Sequence, residues 1–153
     1  MIDIVSSEVR SKMMSGIKGK NTKPELLIRT LLHGAGYRFR LHRKDLPGRP
    51  DLVLKRFNAV IFVNGCFWHG HEDCHLFRPP KSRQDFWNKK ISENQLRDAR
   101  AHVELMDLDW RVGIVWECAV KGKSRLELPS LRNKIDSFIH GHMMFLELRG
   151  KKI

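Results

Sequence analysis

The sequence has no apolar run long enough to cross a bilayer: its longest strongly apolar stretch is AVIFV, residues 59–63, and later apolar segments are broken by charges. No membrane insertion is expected. Cysteine is scarce, and the 3 present cannot all pair within one chain. Residues 1–10, MIDIVSSEVR, have neither the basic nor the apolar region of a secretory signal. A reducing cytoplasm is therefore the expected setting. Acidic residues are in deficit, 17 against 29 Lys and Arg, which leaves a formal charge of +12. A chain of this size and charge calls for a polyanion, and nucleic acid is the natural one. Internal repeats and long linkers are also lacking, so the 153 residues, 41% hydrophobic, are read as one domain that buries a core without disulfide staples.

Residues 1–21 read as a polar, basic N-terminal arm with Met14 as its notable apolar residue; 22–141 read as the folded domain and 142–153 as a C-terminal tail. Thr22-x-x-Glu25 with Pro24 is a helix start, Leu27, Ile28, Leu31 and Leu32 form the buried stripe, and Gly34 or Gly36 ends it. Tyr37, Phe39 and Leu41 alternate with Arg38 and Arg40 as a strand. After the turn at residues 46–50, Asp51 heads a second strand, joined as a hairpin to a third, Ala59 to Val63, which is apolar on both faces and hence central. Ser82-x-x-Asp85 predicts the start of a long helix with Leu96, Ala99, Val103 and Met106 inward. Phe86 is expected to pack on the core. Trp110, Val112, Ile114 and Trp116 alternate as a fourth strand, and Leu131, Ile135, Phe138 and Ile139 mark a last helix closed by Gly141. Helix, three strands, helix, strand, helix is an α/β order, most simply a central mixed sheet flanked by helices.

The chemistry concentrates between Pro50 and Cys74. Cys66-x4-His71-x2-Cys74 offers three soft or borderline ligands, and with Cys118 at the end of the fourth strand a tetrahedral Cys3His zinc site of the structural type is expected, with His69 and His75 as rival histidines and a set of ordinary buried thiols as the alternative. Asp51, after Pro50 at a strand start beside a basic surface, is placed where Mg2+ and a phosphate can meet. Glu25 has a purely structural alternative as a capping carboxylate. His69, left over if His71 takes the zinc, can be aimed at the acid by a bend in its loop. The pairs Phe67-Trp68 and Phe86-Trp87 are aromatics of the kind that stack on bases or wedge between them.

Arg10-Ser11-Lys12-x-Met14, Leu46-Pro47-Gly48-Arg49-Pro50-Asp51, Val60-Ile61-Phe62-x-x-Gly65-Cys66-Phe67-Trp68-His69, Phe86-Trp87-x-x-Lys90-Ile91-x-x-Asn94 and Trp110-Arg111-Val112-x-Ile114-Val115-Trp116-Glu117-Cys118 stand in one order at compatible spacing. In these motifs the chain resembles the very-short-patch-repair (Vsr) endonucleases, bacterial enzymes that nick DNA beside T:G mismatches left by deamination of 5-methylcytosine. The resemblance implies a restriction-endonuclease-like fold. It implies Mg2+ on Asp51 and on the backbone carbonyl of Val63, Glu25 acting through water on the cation, His69 handling protons at the attacked phosphate, and Asp98 orienting His69. It also implies zinc at Cys66, His71, Cys74 and Cys118, intercalation by Phe67, Trp68 and Trp87, and contacts from Lys90 and Asn94 to the mispaired bases. The chain departs from the family where Val63 replaces a threonine, Asn64 replaces a histidine, and the His71–Cys74 spacing is one residue longer. Two other classes of function stay open: a zinc-stapled DNA-binding module without catalysis, and a restriction-type or structure-specific nuclease. The partner expected in the first reading is duplex DNA with a T:G mismatch, bound by a monomer.

Overall fold

A computed structural model describes residues 21–152; Met14 and the rest of residues 1–20, with residue 153, lie outside the described residues. Helix α1, Lys23–Gly34, starts as its sequence predicts, with Thr22 Oγ1 accepting from the Glu25 N–H at 3.3 Å. The reciprocal half of the capping box is missing, because the Glu25 side chain turns inward, where the residue is only 2% exposed. Ile28 and Leu32 are fully buried, each contributing on the order of 1.5–3 kcal/mol.

Strands β1 (Arg40–Leu41), β2 (Leu52–Leu54), β3 (Ala59–Asn64), β4 (Arg111–Trp116) and β5 (Phe145–Leu148) form one mixed sheet in that spatial order. The first two pairings are antiparallel and the last two parallel. β3 is central, as its two apolar faces demand, and a short 3-10 turn at Lys55–Phe57 with Asn58 in the left-handed region joins β2 to it. Helix α2, Gln84–Asp107, covers one face of the sheet, where Leu105 packs with Val60, Phe62, Val112 and Ile114. α1 and helix α3, Leu128–His140, cover the other, on Leu52, Ile61 and Val115. Buried Arg111 donates to the carbonyls of Phe138 and Ile139 at 2.6 and 2.8 Å, so a β4 side chain satisfies the open C-terminus of α3. The segment after α3, read from sequence as a tail, supplies β5. Among the described residues no helix is long and apolar enough to cross a membrane.

Four sequence expectations are corrected. The strand predicted over 37–41 shrinks to a two-residue edge ladder: Tyr37 is a core residue whose hydroxyl donates to Asp136 Oδ1 at 2.8 Å, while Leu41 is exposed. α2 begins two residues after Ser82, behind Arg83 at φ 54°, with no side-chain cap. Its inward face is not Leu96, Ala99, Val103 and Met106; Leu96, Ala99 and Val103 are exposed and Met106 is half-buried. The inward face runs instead through Trp87, Ile91, Asn94, Asp98, Ala101 and Leu105, steps of four and three in which two positions are polar. Phe86 is 44% exposed, with the Arg83 guanidinium over its ring, and Trp87 is the buried member of that pair.

Candidate active site and metal centre

The hairpin register brings Asp51, one residue before β2, alongside the end of β3, where the Val63 N–H donates to Asp51 Oδ2 at 2.7 Å. α1 carries Glu25 to the same place from its first turn. His42, just beyond β1, donates its N–H to the Asp51 carbonyl at 3.2 Å. Its Nε2 lies 2.8 Å from Glu25 Oε2 and 3.9 Å from Asp51 Oδ1. The guanidinium of Arg29, one turn along α1 from Glu25, contacts the same carboxylate and lies 3.4 Å from His42 Nε2. One donor atom each from Glu25, His42 and Asp51 fall within 4.8 Å of one another, a spacing that could hold a cation. Burial pushes the Asp51 carboxyl up to about 7; the Val63 N–H works against that shift and the Glu25 carboxylate adds to it.

On the α2 side of the same strand end, His69 Nδ1 is hydrogen-bonded to Asp98 Oδ2. A carboxylate only accepts, so Nδ1 carries a proton, and in the neutral ring Nε2 is then the acceptor, the tautomer a general base needs. Polar residues of α2 hold this loop. Asn94 Nδ2 donates to the Trp68 carbonyl at 2.9 Å, and Gln95 Nε2 to the Gly70 carbonyl at 3.1 Å. Gly70 sits at φ 58°, where a Cβ would come within 2.4 Å of Gln95 Nε2 and 2.6 Å of Ile91 Cγ2. Only glycine lets the loop lie this close to the helix.

Cys66, His71, Cys74 and Cys118 converge, with one donor atom from each within 4.8 Å of all the others. His71 Nδ1 is 3.5 Å from Cys66 Sγ and 3.6 Å from Cys118 Sγ. A tetrahedral zinc with ordinary Zn–N and Zn–S lengths keeps such donors roughly 3.6 Å apart. The His71 ring stacks on Trp116 at 3.9 Å, and burial depresses its basicity, keeping it the neutral imidazole a metal requires. The Cys66 thiol is hydrogen-bonded to the Cys118 sulfur, which raises Cys66 and holds Cys118 down at about 5, the Gly150 N–H helping at 3.3 Å. Glu117 Oε1 accepts the Cys66 N–H at 3.1 Å, and Arg149 donates to the carbonyls of Glu72 and Asp73. The residues after β5 thus pin the loop that joins two of the cysteines. The rival histidines go elsewhere: His69 to Asp98, and His75 against Ser124 with its Nδ1 3.5 Å from the hydroxyl.

Phe67 and Trp68, both half-buried, pack edge-on over Trp87 with ring centroids 5.3 and 5.7 Å from it. Trp87 is the floor of this cluster at 7% exposure. Lys90 lies half-buried on α2 between Trp87 and Asn94. His42, Arg29 and Gln95 were missed by sequence reasoning. The i,i+4 spacing of Glu25 and Arg29 was an available signal, whereas His42 becomes visible only once β1 is placed beside Asp51.

The family model described as DNA mismatch endonuclease Vsr matches residues 2–76. The chain is 49% identical over 136 residues to the type II nicking enzyme V.XorIIP of Xanthomonas oryzae pv. oryzae, covering 89% of this chain and 98% of that one. It is 43% identical over 141 residues to the DNA mismatch endonuclease Vsr of Escherichia coli, covering 92% and 90% respectively. Over 124 residues it is 43% identical to the type II nicking enzyme V.NmeAIP of Neisseria meningitidis, covering 81% and 88%.

Proposed function

The chain belongs to the Vsr family of DNA mismatch endonucleases, and on that premise we propose that it nicks duplex DNA on the 5′ side of the thymine in a T:G mismatch, by Mg2+-dependent hydrolysis on a restriction-endonuclease-like scaffold stapled by zinc. The observation that carries this reading is the flanking of one strand end by the Asp51–Glu25 acids and the His69–Asp98 pair. Asp51, steadied by the Val63 N–H, would hold Mg2+ together with the Val63 carbonyl, Glu25 reaching it through water. Mg2+ supplies charge that offsets the negative charge building on the phosphoryl oxygens and the departing 3′ oxygen. His69 Nε2 takes a proton from the attacking water, and Asp98 holds the imidazole in the required tautomer and stabilises its charged form. The net charge of +12 draws the duplex in. Phe67 and Trp68, backed by Trp87, wedge into the step beside the mismatch, where poor pairing lowers the cost of unstacking. Lys90 and Asn94 reach the mispaired bases; with its Nδ2 on the Trp68 carbonyl, Asn94 offers Oδ1 as an acceptor. Cys66, His71, Cys74 and Cys118 would hold the zinc, which joins the loop after β3 to the end of β4. The enzyme would work as a cytoplasmic monomer.

A nicking assay on T:G duplexes with varied flanks, beside matched and branched DNA, tests this. A single nick confined to T:G duplexes is expected. Cutting of matched or branched DNA would instead make it a restriction-type or structure-specific nuclease, and binding without cleavage under any divalent ion a DNA-binding module.

Two further outcomes are expected. Because Asp51 is held near 7, Mg2+ binding below that pH must expel a proton, so the apparent affinity should fall about tenfold per pH unit below 7 and level off above it. Calorimetric titration between about pH 5 and 8 reads this slope; a flat profile would mean that Asp51 is ionised throughout. Trp68→Ala should weaken binding to a T:G duplex more than to its T:A counterpart, by about 1–2 kcal/mol, the size of one lost stacking contact. Equal loss on both duplexes with a lowered melting temperature would make Trp68 a packing residue only.

A further inference from the structure

Resting on the reading of Asp51 and Glu25 as a cation site, we infer that His42 is a direct ligand there beside Asp51 and the Val63 carbonyl, and that its nitrogen tilts the site from Mg2+ toward a transition-metal dication such as Mn2+. The geometry favours it. His42 Nε2 stands 2.8 Å from Glu25 Oε2, in a hydrogen bond whose proton a bound cation would displace, and 3.9 Å from Asp51 Oδ1. Donors in adjacent positions on an octahedral ion with bonds near 2.1–2.2 Å lie roughly 3 Å apart, and opposite ones somewhat over 4 Å. The 3.9 Å between His42 Nε2 and Asp51 Oδ1 lies within that range, so one ion can take both donors.

The two acids are already fixed by other contacts: Asp51 by the Val63 N–H, Glu25 by its place in the first turn of α1 and its burial. His42 is fixed as well, at φ 49°, with its N–H on the Asp51 carbonyl. Two of the three groups already accommodate a positive charge, since the Arg29 guanidinium lies against Glu25 and 3.4 Å from His42 Nε2. Carboxylates and water alone suit Mg2+, whereas an imidazole in the set raises affinity for the first-row transition metals.

Mn2+ binding to the zinc-loaded, tag-free protein without DNA tests this, with wild type, His42→Gln and Asp51→Asn compared. Loss of the free Mn2+ resonance gives affinity, and pulsed electron paramagnetic resonance detects 14N coupled to the bound ion. Wild type is expected to show imidazole 14N coupling and to prefer Mn2+ over competing Mg2+. His42→Gln should lose that coupling and bind Mn2+ at least about tenfold more weakly, with Mg2+ affinity little changed. Asp51→Asn should weaken both ions. Tight Mn2+ binding by wild type with no 14N coupling, or unchanged coupling in His42→Gln, would overturn the role of His42 while leaving the cation site intact. Undiminished binding in Asp51→Asn would overturn the cation site itself. The wild-type spectrum needs no substitution, so the answer does not depend on the variants folding.

Discussion

Asp51→Ala should reduce nicking of a T:G duplex by roughly a thousandfold or more, the several kcal/mol that a dication contributes at a phosphoryl centre. Binding of the same duplex should persist, since the aromatic cluster and the basic surface do not involve this carboxylate. The substitution also removes the acceptor of the Val63 N–H, a cost to folding of about 1–3 kcal/mol if that donor stays dry. Asp51→Asn separates the two effects. Its amide oxygen can still accept from Val63 but carries no charge for the cation, so it should fold as wild type and fail to nick. Nicking at the wild-type rate by either variant would place the cation elsewhere.

Cys118→Ala should cost most or all of the folded protein. Structural zinc sites contribute on the order of 10–16 kcal/mol of apparent binding free energy, as much as the whole stability of an ordinary domain. The effect should be unusually global here. Cys118 joins β4 to the loop after β3, and it accepts from the Gly150 N–H beyond β5. Gly150 itself passes so close that a Cβ there would lie 2.5 Å from the Cys118 carbonyl oxygen. One tightly held zinc per wild-type chain is expected from metal analysis, with its loss and a sharply lowered melting temperature in the variant. Protein purified without chelator that contains no zinc would sink the assignment.

The architecture was largely legible because burial repeats along the chain at the period of each element. β3, apolar on both faces, had to be central, and Leu131, Ile135, Phe138 and Ile139 mark α3 with no polar interruption. α2 was misread for the same physical reason in reverse. Its inward face includes Asn94 and Asp98, which hold the loop and the His69 imidazole, so the apolar residues that remained suggested the wrong stripe. Where a helix serves a site, its pattern of hydrophobicity ceases to report which side is inside.

Local spacing alone marked Cys66, His71 and Cys74 as candidate ligands, because groups five and three residues apart can reach one metal whatever the rest of the chain does, and composition alone determined the basic balance that calls for a polyanion. The choice among His69, His71 and His75 was tertiary, decided by Trp116 under one ring, Asp98 beside another and Ser124 beside the third. So was the fate of Glu25, for which the sequence offered a capping role: its carboxylate faces Arg29 and His42 instead. His42 and Asp51 lie nine residues apart in the chain and become neighbours only through strand pairing. Sequence records which groups are available and how far each can reach along the chain, but contacts between strands depend on register, and register is set by the sheet as a whole.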